Sequence, residues 1–271
     1  MTATPDNATL IQRLDISPRL IILRIRPDFP ISFVPGQFTV LGLRQAAPRV
    51  ADADPETVPP EKADRLIRRA YSISSGSHET DYLEFYIALV TGGQLTPRLF
   101  ALKTGDRLFV GPKATGMFTL DRVPPGQNIL LVATGTGLAP YLSMVRTLAM
   151  ATRCPAMPLA ILHGASHSWD LGYRADLEAL SQKCPTVRYA PVVSRPQEET
   201  GWQGRTGRLT EWFTPERLQE ISGFAPDPAH THIFLCGHPD LVEDGMQTFQ
   251  AWGFDPGSRK EPGNLHVEKY W

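Results

Sequence analysis

Cysteine is nearly missing from this chain. Among 271 residues there are three, Cys154, Cys184 and Cys236, an odd number with no close pair, so neither a disulfide framework nor a zinc site is expected. The same count excludes a four-cysteine iron–sulfur cluster within the chain, so an electron carrier of that kind would have to be another molecule. Excess charge of one sign is missing too. A net charge of −1 gives no general attraction to nucleic acid or to an acidic membrane, and a charged partner must be met by a local patch. No apolar run approaches the roughly 20 residues that span a bilayer, and residues 1–10 lack the basic start and apolar core of a signal peptide. The expectation is a cytoplasmic protein working without membrane or nucleic acid. His163, His238 and His266 are not spaced as metal ligands and are expected to be structural or surface residues, with no metal bound. No internal repeat or long low-complexity tract is present.

What is there divides into two halves. Hydrophobic residues make up 42% and charged residues 20%, ordinary for a soluble globular protein, and the length suits two ordinary domains. The first half carries short strand-like runs at 20–26, 38–43, 69–74, 83–90 and 107–110 between Pro- and Gly-rich turns, the pattern of a small antiparallel barrel. Residues 94–103 read as its one helix, and 46–62, rich in Pro, Ala, Asp and Glu, as a surface insertion. Val123-Pro124-Pro125-Gly126 marks a linker, giving domains at 1–123 and 127–271. After it, apolar strands at 129–133, 159–163, 187–193 and 232–236 alternate with helical stretches at 140–150, 174–181, 215–221 and 240–252. That alternation predicts a doubly wound parallel sheet binding ligands at the carboxyl ends of its strands.

Four motifs carry the chemistry. Arg69-Ala70-Tyr71-Ser72 puts a phosphate-binding cation, a flat ring and a small hydroxyl within four positions, suited to a flavin dinucleotide: Arg for the pyrophosphate, Tyr as a stacking plate, Ser near the atom that accepts hydride. In a strand Arg69 and Tyr71 share a face and Ser72 takes the other; the same tetrapeptide would equally suit a plain strand with an incidental Arg. Residues 128–133 lead into Thr134-Gly135-Thr136-Gly137-Leu138-Ala139-Pro140 and then a helical pattern: strand, glycine loop, helix, whose unpaired amides and dipole favour a pyrophosphate. Cys236-Gly237-His238-Pro239 follows the strand His232-Ile233-Phe234-Leu235, and the chain ends Val267-Glu268-Lys269-Tyr270-Trp271. The second strand of the nucleotide half ends in His163-Gly164-Ala165-Ser166 without the carboxylate expected of an NAD-type ribose site. Arg195 and Arg208 follow instead, and guanidinium groups favour the 2′-phosphate of NADP, although two solvated surface arginines would read the same way. Cys236, read alone, is a small buried group at a strand end.

These motifs, collinear with Pro35-Gly36-Gln37-Phe38, the 85–99 run ending Gln94-Leu95-Thr96-Pro97-Arg98-Leu99, Val193-Ser194-Arg195 and Thr206-Gly207-Arg208, resemble the ferredoxin–NADP+ reductase family over nearly the whole chain. The likeness is to the bacterial ferredoxin (flavodoxin) reductases that end in an aromatic residue. It implies a six-stranded antiparallel β-barrel holding FAD and an α/β doubly wound sheet holding NADP(H). FAD would be held by Arg69, Ala70, Tyr71 and Ser72, by Ile87, Ala88 and Leu89, by Gln94, Leu95 and Thr96, where the helix start approaches the pyrophosphate, and by Thr136 and Glu268. Tyr270 matches a tyrosine covering the flavin face opposite Tyr71, and Trp271 would stack on the adenine of a bent FAD. NADP would be met by Gly135, Thr136 and Gly137, by Ser166, Ser194, Arg195 and Arg208, and by Cys236, Gly237 and Asp244. Ser72, Cys236, Glu268 and Tyr270 would line the nicotinamide–flavin contact. Family members commonly carry Arg where this chain has Ser166, and the bacterial relatives are shorter across 46–62.

The activity so implied is transfer of electrons between NADPH and a ferredoxin or flavodoxin by a monomer. Its rivals are a free-flavin or quinone reductase on the same fold, a reductase subunit of an oxygenase or dehydrogenase complex, and a flavin-binding structural or sensory protein. An acidic carrier would need a basic patch, for which Arg65, Arg68 and Arg98 are the candidates.

Overall fold

A computed structural model describes residues 6–57, 59–152, 154–258 and 261–269. The chain divides into two compact units between Met117 and Phe118, just ahead of the 123–126 stretch in which the sequence places the linker. Phe118 belongs with the second unit because its ring packs 5.2 Å from Phe234 and 5.9 Å from Tyr141.

The first unit holds strands β1 (Ala8–Ser17), β2 (Leu20–Pro27), β3 (Phe38–Arg44), β4 (Leu66–Ser72), β5 (Leu83–Ala88) and β6 (Arg107–Val110), with helix α1 (Thr96–Ala101) after β5. All pairings are antiparallel, in the order β4-β3-β6-β1-β2-β5. The outer strands approach where Ser74 N donates to Glu84 O at 2.8 Å, which turns the sheet into a barrel. Leu10, Leu23, Leu41, Phe85, Leu99 and Val110 sit in its core, none of them exposed. β1 is not among the strands expected from sequence. Its register on β2 shifts between Leu10 and Gln12 and again between Asp15 and Ser17, and such bulges break the alternation that marks a strand. The helix is shorter than the 94–103 expected.

The second unit contains β7 (Asn128–Thr134), α2 (Ala139–Thr152), β8 (Leu159–Ala165), α3 (Arg174–Lys183), β9 (Val187–Val193), β10 (Arg205–Thr206), α4 (Pro215–Ser222), β11 (Thr231–Gly237), α5 (Pro239–Ala251) and β12 (Leu265–Lys269). Its strands are parallel in the order β10-β9-β8-β7-β11-β12. β11 is buried along its whole length, as a central strand covered on both faces must be. Helix boundaries follow local chemistry: α4 starts with Thr214 accepting from Arg217 N and Pro215 in the first turn, and stops at Gly223 with φ 81°. The chain runs outward from β7 to β10, then returns to β11 on the other side of β7, and this reversal opens a crevice at the strand ends.

One cysteine expectation fails. Cys154 and Cys184 form a disulfide. They lie 30 positions apart in sequence, but Cys154 follows α2 and Cys184 ends α3, and that packing brings together what spacing alone leaves unpaired. Cys236 takes no part in the disulfide and its thiol is buried.

Candidate functional site

The crevice of the second unit is built from backbone against backbone. A Cβ on Gly137 would stand 2.5 Å from Cys236 O, and one on Gly237 2.4 Å from Thr134 Oγ1, so neither position admits a side chain while the loops stay this close. Gly237 also has φ 132°, a conformation glycine adopts freely. Thr134 Oγ1 accepts from His238 N at 2.9 Å, pinning the loop after β11 to the end of β7. The loop after β7 leaves with Gly135 at φ 53° and winds through a tight turn into α2. Gly135, Thr136, Gly137 and Gly237 are thus brought together as the motifs imply. Thr134, which the motif reading leaves without a role, fastens the arrangement; its place as the hydroxyl ending the strand before the glycine loop is the signal that marks it.

Beside this cradle, β12 lies parallel to β11 with Cys236 opposite Glu268. Cys236 Sγ stands 3.9 Å from Glu268 Oε2. Tyr141 is buried below them, its hydroxyl 2.8 Å from Phe234 O and 3.0 Å from Val132 O; burial, with the neighbouring Cys236 and Glu268, pushes its pKa up. His163 is wholly buried, with Nδ1 3.1 Å from Tyr189 Oη. Burial, partly opposed by the backbone of Gly135, pushes its pKa down to about 4, so it stands neutral beneath the glycine loop.

The far end of the sheet collects the groups expected to meet the ribose phosphate. Arg195 N donates to Ser166 O at 2.9 Å, Ser194 N to Ala165 O at 3.0 Å, and Gly207 N to Val193 O at 3.0 Å, so Ser166, Ser194, Arg195 and Arg208 issue from adjoining strand ends, all exposed. The Arg195 side chain is 57% exposed and 3.7 Å from Glu198. His167 enters here unannounced by any motif. Its Nε2 lies 2.9 Å from Glu198 Oε2, its ring stacks on Trp169, and the hydrogen bond to Glu198 raises its pKa. Asp244 stands exposed on α5.

In the barrel, β4 pairs with β3 so that Ile67, Arg69 and Tyr71 face the same side as Leu43, Leu41 and Thr39. Those partners are buried, and Ile67 lies in the core with Tyr71 packed against it, yet Arg69 is exposed and Tyr71 only half-buried. An exposed cation and ring on a face that is otherwise core make an opening suited to a flat, anionic ligand. Burial pushes the Tyr71 phenol well above its ordinary pKa. Ser72 is buried on the opposite face. Arg69 Nη2 lies 3.4 Å from Gln94 Oε1, joining the strand motif to the segment that starts α1. That segment is closed by Thr96 Oγ1, 3.1 Å from both the amide and the carbonyl of Val90. Leu95 and Ile87 are buried, so they offer a ligand backbone only; Ala88 and Leu89 are half-buried. Tyr270 and Trp271 lie outside the described residues.

Arg98 is not a surface cation. It is 1% exposed and paired with Glu56 at 2.7 Å, which removes it from any partner patch; Arg65 and Arg68 are exposed. Among the described residues no helix is long and apolar enough to cross a membrane.

Residues 131–247 match the family model described as an oxidoreductase NAD-binding domain. Ferredoxin–NADP reductase A of Sorangium cellulosum is 33% identical, over 93% of this chain and 84% of the relative. Flavodoxin/ferredoxin–NADP reductase of Escherichia coli is 33% identical over 89% of each. Among solved structures, a ferredoxin NADP+ reductase from Neisseria gonorrhoeae with bound FAD and NADP superposes with a TM-score of 0.81, covering 98% of both chains at 24% identity. A cytochrome P450 reductase from Amycolatopsis gives 0.73 at 26% identity, over 97% of this chain and 68% of that one. With its barrel, its parallel sheet and relatives of that identity along nearly its full length, the chain belongs to the ferredoxin/flavodoxin–NADP reductase family.

Proposed function

We propose that this chain is an FAD-dependent oxidoreductase passing electrons between NADPH and a ferredoxin or flavodoxin. The observation that carries the reading is the interlocked pair of loops after β7 and β11, whose glycines leave a backbone cradle at the strand ends with Cys236 and Glu268 beside it. When bound, the flavin accepts two electrons as hydride from the nicotinamide and releases them singly.

The chain's own part is binding, orientation and proton handling. Arg69 neutralises the pyrophosphate of FAD and Tyr71 supplies a flat wall for its ring. Gly135, Thr136 and Gly137 present amides and a helix start to the pyrophosphate of NADPH, and Arg195 and Arg208 meet its 2′-phosphate. Cys236 and Gly237 set where the nicotinamide lies, so that the reaction depends on distance and orientation rather than covalent chemistry. Glu268, near the end of β12, is the carboxylate that would relay a proton there. Ser72 belongs to the same reading. A monomeric, cytoplasmic enzyme completes it, with Arg65 and Arg68 facing an acidic carrier.

The experiment is NADPH-driven reduction of a ferredoxin and a flavodoxin from the same organism, compared with free FMN at equal concentration. A carrier rate well above the FMN rate, falling as salt rises, is expected. An FMN rate matching the carriers, flat across ionic strength, would replace this reading with a free-flavin reductase.

A further inference from the structure

The 46–62 stretch, read from sequence as a surface insertion, is stitched to the start of α1 and to the segment before it. Val50 N donates to Pro97 O at 3.1 Å and Asp54 N to Thr91 O at 3.1 Å. Arg49 Nη2 donates to Asp54 O at 2.8 Å and reaches Thr91 O at 3.3 Å, and Thr91 Oγ1 lies 3.4 Å from Asp54 Oδ2. Both ends of residues 91–97 are therefore held from outside by the insertion.

Its anchor is one carboxylate. Glu56, 16% exposed, receives both Arg49 and Arg98 on the same oxygen, Oε2. Burial opposes its charge, but the hydrogen bonds from Arg98 and Arg49 outweigh that and hold its carboxyl below the ordinary range. Arg98 spends its other donors on Gln45 O and Gln94 O. Gln94 in turn approaches Arg69. A line of contacts thus runs from Glu56 through Arg98 and Gln94 to the exposed cation on the core face of the barrel.

A buried ion pair is weak evidence for stability, since desolvation offsets much of its attraction. It does fix geometry, because the guanidinium fork donates to its partners in one plane. We propose that Glu56 is a positioning residue for dinucleotide selection: by holding Arg98 on Gln94, the insertion presets residues 91–96 and Arg69 for the pyrophosphate and so sets the preference for FAD over FMN. This rests on the assignment of Arg69 and Gln94 to FAD made above.

The test titrates flavin-free protein with FAD and with FMN, following flavin fluorescence, for wild type, Glu56→Gln and the double variant Glu56→Gln/Arg98→Met. The double variant removes Glu56 together with its more deeply buried partner Arg98 and leaves Arg49 on the carbonyls of Asp54 and Thr91, which limits the cost of an unpaired buried charge, while still releasing Gln94. In both variants the FAD/FMN affinity ratio should fall by about tenfold, the loss of roughly one charge-assisted hydrogen bond's worth of preorganisation, with FMN affinity changed less than FAD affinity. Equal weakening of both flavins would make Glu56 a merely structural residue and overturn the proposal, as would an unchanged ratio. A wild-type protein that takes up no FAD would overturn the functional reading and this inference with it; wild-type uptake with an unchanged ratio in the variants overturns this inference alone.

Discussion

The two units build their proposed ligand faces from different materials. In the α/β unit the cradle is main chain: Gly137 against the carbonyl of Cys236, and Gly237 against Thr134. In the barrel the corresponding work falls to long side chains, with Arg69 reaching Gln94 and Arg98 holding Gln94 from behind. A backbone cradle tolerates no added atom but needs no ion pairs. A side-chain scaffold tolerates substitution sterically and fails through lost charge. The polar interiors differ as well. The α/β unit buries neutral imidazoles, while the barrel buries Glu56 and Glu84 against Arg98 and Arg24.

Acid should separate the units most. Burial pushes His163 down to about 4, and burial together with the charges of His232 and Arg122 pushes His266 down to about 4 as well, whereas an unfolded histidine titrates near 6.5. Below about pH 6.5 the unfolded chain then binds protons that the folded unit refuses. Stability contributed by these groups is therefore full above that value and falls as pH drops toward 4. At pH 5 the loss is about 2 kcal/mol from His163, with His266 adding in the same direction. Urea melts at pH 7 and pH 5, read by hydrogen exchange in each unit, should show the α/β unit weakening first; a barrel that opens first would break the contrast.

Gly137→Ala comes next. Its Cβ would press on backbone that cannot swing away, costing about 2–3 kcal/mol by overpacking, and reduction of the flavin by NADPH should slow by roughly 30- to 150-fold while FAD content holds. Arg69→Ala should have the opposite signature, weakening FAD by about 2 kcal/mol, roughly 30-fold, with no steric damage; equilibrium dialysis of the flavin-free protein measures it. If each variant disturbed both ligands alike, the division of labour would be wrong.

The smallest effect is expected at Arg195. Its side chain is more than half exposed and already faces Glu198, so Arg195→Ala should cost about 1.5 kcal/mol of NADPH affinity, roughly tenfold, and leave NADH unchanged. A preference for NADPH that survives this change would move the 2′-phosphate contact to Arg208 and His167.

The contrast between the units also explains what could be read in advance. Glycines and apolar runs announce themselves: the loop from Thr134 to Pro140 and the buried run of β11 carry their geometry in the residue type, because only glycine allows such close approach and only a doubly covered strand is apolar throughout. β12 was visible only as a terminal motif, since the alternation in Leu265–Lys269 covers only five residues and it becomes a strand by pairing with β11. β10, two residues long, has no periodicity to read.

What the sequence by itself determined is the class of each half, the place of the glycine cradle, and the residue types able to meet a pyrophosphate, because these depend on local conformational freedom and on hydrophobic period. Tertiary structure alone decided that Arg98 is buried rather than facing a partner, that Cys154 finds Cys184, and that Glu56 in an unremarkable acidic stretch anchors the segment before α1. Each of these depends on groups brought together from distant parts of the chain, where the energy of a charge or a thiol is set by neighbours that sequence spacing does not name.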